Sequence, residues 1–311
     1  MARIPLGPGV EFDLVRQMEE RWGPLAAHLG DDAAVLQVPR GEQLLLSIDT
    51  SLEDVHFRRG WLSLREIGYR AVTAALSDLA AMAATPVGVL VALQLAPDDR
   101  ARLLEIADGI ADAVRAVDAP ILGGNLSRGD VLGITTTVVG SAFEPLTRVG
   151  ARPGDILYVT GALGAPAAAV GALGAGRAVP AHLRARFAAP RARISEARWL
   201  AARGAIAAID ISDGLAGDAA HLGAASDVGL EIAIERIPIF DGATEANALA
   251  GGEEYELLVV SRAPLPEDEF AERFSLALTP IGRVLEGPAA VRFTRAGARV
   301  APPTAHDHFS S

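Results

Sequence analysis

The run LLLSIDTSLEDVHF, Leu44 to Phe57, limits the possible folds more than any other stretch, because an apolar segment passes abruptly into Ser47, Asp49, Glu53, Asp54 and His56. Leu44, Leu45 and Leu46 predict a buried strand, which would hold Ser47 and Asp49 at its end on a rigid support. Oxygen donors presented in that way suit a hard metal ion. Asp and Ser are also ordinary turn residues, so this stretch alone leaves a metal site and a polar turn both open.

The pattern recurs. In Ala205 to Leu222 (AIAAIDISDGLAGDAAHL) an apolar strand ends at Asp210, and Ser212 and Asp213 lead through Gly214 into a helix. Such a helix start favours phosphate, although Ser212 or Asp213 could equally serve only as an N-cap. Gly251 to Val260 (GGEEYELLVV) is a third instance, predicted to place Glu253 and Glu254 at the start of a strand. LGDDAAVLQV puts Gly30, Asp31 and Asp32 just before a predicted strand. Adjacent carboxylates there are either solvated or bridged by cations, and Asp32 meets Asp49 if the two strands are neighbours.

Ser63 to Ala84 is the clearest predicted helix, with a Ser63/Glu66 capping box at one end and Pro86 beyond the other. Asp78 follows Ile67, Ala71 and Ala74 at helical spacing and so shares their buried stripe, where a carboxylate is costly unless it is paired or bound. A ligand or catalytic role and a hydrogen-bonded buried Asp are the two readings. Val87 to Leu95 reads as a strand, Asp98 to Val117 as an amphipathic helix, and Ile121 to Leu122 as a short strand feeding a loop, GGNLSRGD, whose glycines and Arg128 suit phosphate. Asp130 to Phe143 is a long β-branched strand, and Glu144 to Pro153 interrupts two strand patterns as a domain boundary would. ILYVTGALGAPAAAV is a strand, a Gly turn and a helix without dinucleotide-binding spacing.

Composition narrows the chemistry. The chain has no Cys and no Lys, which excludes disulfides, thiolate chemistry, Schiff bases and a Walker A lysine. A net charge of −11 argues against nucleic acid as a partner, while phosphate ligands remain compatible through a bridging divalent ion. At 311 residues and 50% apolar, two domains with substantial cores are expected. No run is long and apolar enough to span a bilayer, and the N-terminal stretch lacks a signal pattern, so a cytoplasmic location without membrane association is expected.

Taken together, GDDAAVL, DTSLEDVHF, ALSDLAAMAATP, GGNLSRGD, LTRVGARPGDILYVTGALG, DISDGL and GGEEYELLV, in that order, resemble the thiamine-monophosphate kinases. These are ATP-dependent enzymes of the superfamily that includes aminoimidazole ribonucleotide synthetase, selenophosphate synthetase and a hydrogenase-maturation protein. The resemblance implies two α/β domains with mixed sheets and an ATP cleft between them. Residues 1–145 would be the metal- and ATP-binding, dimerising domain, and residues 146–311 would complete the nucleotide and substrate site. It further implies direct transfer of the γ-phosphoryl of ATP to thiamine monophosphate, with several Mg²⁺ ions, no phosphoenzyme, and a homodimer formed through the N-terminal domain.

Carried over by position, Asp32, Ser47, Asp49, Asp78, Asn125, Asp210 and Asp213 would be metal ligands, with Asp78 and Asp210 also catalytic. Gly124, Asn125, Arg148 and Ser212 would contact ATP, and His56, Glu253 and His306 the thiamine phosphate. Three positions depart from the family pattern: Asn125 for Asp, Ile48 for Thr, and His306 where an aromatic residue is common. His306 and His308 also admit a metal-binding or a plain surface reading. The alternatives are another ATP-dependent enzyme of the superfamily, with the thiol-using branches disfavoured by the missing Cys, or a catalytically weakened nucleotide-binding homologue.

Overall fold

The computed structural model of the chain describes residues 9–26 and 33–301. Asp32 and His306 therefore lie outside the described residues. The chain divides into two compact units, the first comprising the described residues up to Leu79 with Ala84–Glu144, the second Ala80–Ala83 with the described residues from Pro145 onward.

In unit 1 the elements follow as α1 (Val10–Trp22), β1 (Gln43–Leu52), α2 (Leu64–Ala81), β2 (Thr85–Leu95), α3 (Leu103–Ala116), β3 (Ile121–Arg128) and β4 (Gly133–Ala142). The sheet order is β1-β4-β2-β3, with β2 and β3 parallel and the other pairs antiparallel. Ser63 caps α2 as its sequence predicts: its Oγ accepts from the Glu66 N–H at 3.3 Å, and the Glu66 carboxylate accepts from the Ser63 N–H at 2.8 Å. The helix then crosses α3 so closely that a Cβ on Gly109 would stand 1.8 Å from the Arg65 carbonyl oxygen, which only glycine permits. Ile67, Leu76, Leu79, Ile106 and Ile110 fill this layer against Val89, Val91, Leu93 and Val138.

Four expectations change here. Of the leucine run only Leu45 is buried, because a strand alternates its faces: Leu45, Ser47 and Asp49 share one face, and Leu44, Leu46 and Ile48 share the other, where Leu46 is 63% and Ile48 66% exposed. The segment GGNLSR is strand rather than loop, because β3 continues to pair with β2 from Leu90↔Gly123 to Leu95↔Arg128. Residues 34–39 form no strand, and Val35 is 78% exposed. The expected helix from Asp98 begins as a 3₁₀ segment, Pro97–Arg102, before α3 proper.

Unit 2 contains β5 (Ile156–Thr160), α4 (Ala165–Gly174), α5 (Ala181–Ala188), α6 (Ile194–Ala201), β6 (Ala205–Asp210), α7 (Leu215–Ser226), β7 (Gly229–Ala233), α8 (Glu245–Ala250), β8 (Leu257–Ser261), α9 (Glu267–Phe274), β9 (Leu278–Leu285), β10 (Ala290–Arg295) and β11 (Ala298–Val300). Its seven-stranded mixed sheet runs β11-β10-β7-β9-β5-β8-β6, with β10 and β7 the parallel pair. Leu157, Val159, Ile209, Leu222, Leu230, Leu258 and Ile281 belong to its core. Glu253 and Glu254 do not open a strand as expected, since β8 begins only at Leu257. The segment before β8 is instead strapped to the loop after β6: the Glu253 N–H donates to the Ser212 carbonyl at 2.7 Å and the Tyr255 N–H to the Ile211 carbonyl at 2.9 Å.

Candidate functional site

In unit 1 the register of β1 on β4 sets Ser47 opposite Val138 and Asp49 opposite Thr136, on the face that α2 covers. Asp78 lies three residues before the end of α2 and is half-buried, and the Ser47 hydroxyl donates to its carboxylate. The Thr136 hydroxyl, on the face shared with Asp49, is buried and has no hydrogen-bond partner. Gly124 is in the same cross-sheet row as Asp49, through Val91 and Thr136, and a Cβ there would meet the Val91 carbonyl oxygen at 1.9 Å. Asn125 is displaced by one residue and therefore faces the opposite side, in the row of Ala92, Thr135 and Thr50. Three strand spacings, about 14 Å, separate its strand from β1, so a single chain's unit 1 does not bring Asn125 to Ser47, Asp49 and Asp78.

His56 is exposed in the turn after β1, and its Nδ1 accepts from the Leu52 N–H at 3.1 Å, which leaves the proton of the neutral ring on Nε2. This turn is clamped by Arg59, whose guanidinium reaches both Glu53 and the buried Asp99. The Arg59 hydrogen bond holds the Glu53 carboxyl below its usual range.

In unit 2, β6 delivers the buried Asp210, and the turn after it carries Ser212 and Asp213, both half-buried. Gly214, at φ 109°, is the N-cap of α7 and no side chain caps that helix, so the N-cap reading of Ser212 and Asp213 fails. Asp218, in the first turn of α7, holds the turn from beneath: its Oδ2 accepts from the N–H groups of Ser212 and Asp213, both at 3.1 Å. Burial, followed by the neighbouring Asp210 charge, pushes the Asp218 carboxyl up to about 7.

Glu254, beside Glu253, is fully buried. It accepts from the Gly164 N–H at the start of α4, while its other oxygen has no partner, and burial pushes it up to about 8. Arg148 is exposed in a turn fixed by Ser226, whose hydroxyl donates to the Arg148 carbonyl at 2.8 Å. Sequence reasoning missed Asp218, and it named Glu254 without its burial. The i, i+5 spacing of Asp213 and Asp218 was the available signal for the first, while the second is fixed by a contact spanning 90 residues.

These donors suit Mg²⁺. Among the described residues no group of three or more His, Asp or Glu side chains is gathered so as to hold a metal ion unaided. Mg²⁺ is commonly bound by one or two carboxylates and completes its octahedron with water and phosphate oxygens. The unpartnered Thr136 hydroxyl and the mutual repulsion of Asp210, Asp213 and Asp218 are the features that a bound cation would relieve.

The two units coincide with a known pair of domains: residues 30–142 match the AIR synthase related protein N-terminal domain, and residues 152–293 the AIR synthase related protein C-terminal domain. A thiamine-monophosphate kinase of Methanopyrus kandleri is 35% identical over 287 residues, covering 88% of this chain and 87% of the relative. The crystal structure of thiamine-monophosphate kinase from Stenotrophomonas maltophilia K279a is similar with a TM-score of 0.82 at 30% identity, covering 94% of this chain and 98% of that one. AaThiL complexed with AMPPCP and TMP is similar with a TM-score of 0.74 at 30% identity, covering 94% of this chain and 95% of that one. The chain belongs to the thiamine-monophosphate kinase family.

Proposed function

We propose that the protein is an ATP-dependent kinase that transfers the γ-phosphoryl group of ATP directly to thiamine monophosphate, giving ADP and thiamine diphosphate. The observation that carries this reading is the near full-length similarity to thiamine-monophosphate kinases, including a solved relative that holds AMPPCP and TMP. In the transfer, the bond from the γ-phosphorus to the β-γ bridging oxygen breaks and a bond to an acceptor phosphate oxygen forms. The protein's task is to align the two anions and offset their charge.

The chain has no lysine to do this, so Asp32, Ser47, Asp49, Asp78, Asp210 and Asp213 are assigned as Mg²⁺ ligands, with Asp78 and Asp210 also assigned as catalytic, while Asn125, on the opposite face of the unit 1 sheet, is not grouped with them. Bound Mg²⁺ supplies charge neutralisation and orientation of phosphate oxygens. Ser47 fixes the orientation of Asp78 by its hydrogen bond, and Asp218 fixes the Ser212–Asp213 turn from below. The uncapped first turn of α7 leaves N–H groups and the positive helix end for a phosphate. Ser212, Gly124, Asn125 and Arg148 are assigned to ATP. His56, Glu253 and His306 are assigned to thiamine monophosphate.

Residues 1–145 and 146–311 are taken as the two domains. The exposed face of β1, with Leu44, Leu46 and Ile48, supports a homodimer formed through the N-terminal domain, since a contiguous apolar row is costly in water. Among the described residues no helix is long and apolar enough to cross a membrane.

The test is ADP release with ATP and Mg²⁺, with and without thiamine monophosphate. ADP production that requires thiamine monophosphate, matched by thiamine diphosphate, is expected. ADP production indifferent to thiamine monophosphate, or none at all, would overturn the assignment.

A further inference from the structure

Glu253 is the one half-buried member of an otherwise buried run, Glu253 to Glu256. Its backbone is strained: Glu253 has φ 62° and Tyr255 φ 52°, in the left-handed region that side-chain-bearing residues avoid. Such conformations persist only where the surroundings over-determine them. On one side the strap is fastened by backbone bonds to the loop after β6: the Glu253 and Tyr255 bonds described above, and the Ile211 N–H donating to the Glu256 carbonyl at 2.8 Å.

On the other side the fastening comes from α5. Arg186 Nη2 donates to the Glu254 carbonyl oxygen at 2.9 Å and to Glu256 Oε1 at 2.6 Å, gripping the strap by backbone and side chain together. Glu256 also receives Arg193 Nε at 2.9 Å and the Thr160 hydroxyl at 2.6 Å. Buried ion pairs add little net stability over well-packed apolar residues of similar volume. What this cluster supplies is a fixed backbone path through two left-handed residues, and with it the direction of the Glu253 side chain.

We infer that Arg186 is a positioning residue for substrate binding: by holding the Glu254 carbonyl and the Glu256 carboxylate, it fixes the strap that presents Glu253 to thiamine monophosphate. This rests on the assignment of Glu253 to that substrate. The segment containing α5, which supplied no motif to the sequence reading, thereby becomes part of the acceptor site's support.

The test is a kinetic cycle on the full chain, measuring kcat and KM for both substrates in Arg186→Met, Glu253→Gln, the double variant and Arg186→Lys. Arg193 still pairs with Glu256 in Arg186→Met, so the buried carboxylate keeps a counter-ion. The expected result is a rise of about tenfold in KM for thiamine monophosphate in Arg186→Met, with less than about twofold change in KM for ATP. In the Glu253→Gln background the same change should add less than about twofold, the non-additivity of residues that act as a unit. Arg186→Lys should recover part of the loss. Equal increases in both backgrounds, or KM values for both substrates rising together, would overturn the inference while leaving the Glu253 assignment intact. An unchanged KM in Glu253→Gln alone would overturn the assignment, and the inference with it. Should Arg186→Met not fold, Arg186→Lys in the two backgrounds is judged by the same rule.

Discussion

The two units hold their acidic residues by different means. In unit 1, Ser47 and Asp49 are part of a strand whose register the β1–β4 ladder fixes along its whole length, and Asp78 approaches from a helix on the same face. In unit 2, Asp210 ends a strand, but Ser212, Asp213 and Glu253 sit on loops whose shape depends on buried acids beneath them, Asp218 and Glu254. A ladder orients side chains through many weak bonds, so the loss of one bond shifts little. A loop held by a few contacts that include a buried carboxylate depends more on each of them, and a carboxylate in a desolvated place adds a sensitivity to pH that the ladder lacks.

The largest expected effect is in unit 1. Asp78→Asn keeps volume and the bond from Ser47 while removing charge, so the melting temperature should stay close to that of the parent while kcat falls on the order of 100-fold or more, the scale of losing a group that offsets transition-state charge. Steady-state kinetics beside a thermal melt would show this. Retained turnover would reduce Asp78 to a structural partner of Ser47.

The next effect is on stability in unit 2. Glu254 has its folded pKa raised to about 8 from an ordinary 4.5, so the native state binds a proton that the unfolded chain has released between those values. Its contribution is fully present below about 4.5 and is lost as pH rises toward 8. Stability should fall across that window, and Glu254→Gln should flatten the slope by an amount on the order of a few kcal/mol. Denaturant titrations at several pH values would measure it, and an unchanged slope would show that the buried acid is not the loop's pH-sensitive support.

Smaller effects belong to the exposed face of β1. Leu46→Arg should convert the proposed dimer to monomer in light scattering, and a persistent dimer would move the interface elsewhere. Ile48→Thr, which restores the residue usual in the family, should change kcat by less than about twofold, because Ile48 points away from the face of Ser47 and Asp49. A larger gain in turnover would mean that a side-chain oxygen at this position joins the chemistry.

The difference between the units also explains what was readable in the sequence. The capping box of Ser63, the helix that carries Asp78 and the strand that ends at Asp210 are local patterns, and each took shape as its residues predict. The leucine run misled because three adjacent apolar residues do not all face inward on a strand with one covered side. GGNLSR was misread because glycines suggested a loop where pairing with β2 sustains a strand. The strap from Glu253 to Glu256 was legible as an acidic motif, but its left-handed path was not. Its path is set by Ile211, Ser212, Gly164 and Arg186, which are tens of residues away in sequence.

The most direct measurement follows the label from γ-³²P-ATP in the presence of thiamine monophosphate, with Mg²⁺ and with excess chelator. With Mg²⁺ the label should appear in thiamine diphosphate, at its terminal phosphate, with none retained on the protein, and chelator should abolish the transfer because the acidic side chains assigned to the site would otherwise repel both anions. Label accumulating on the protein, or transfer undiminished by chelator, would contradict a direct, metal-dependent phosphoryl transfer.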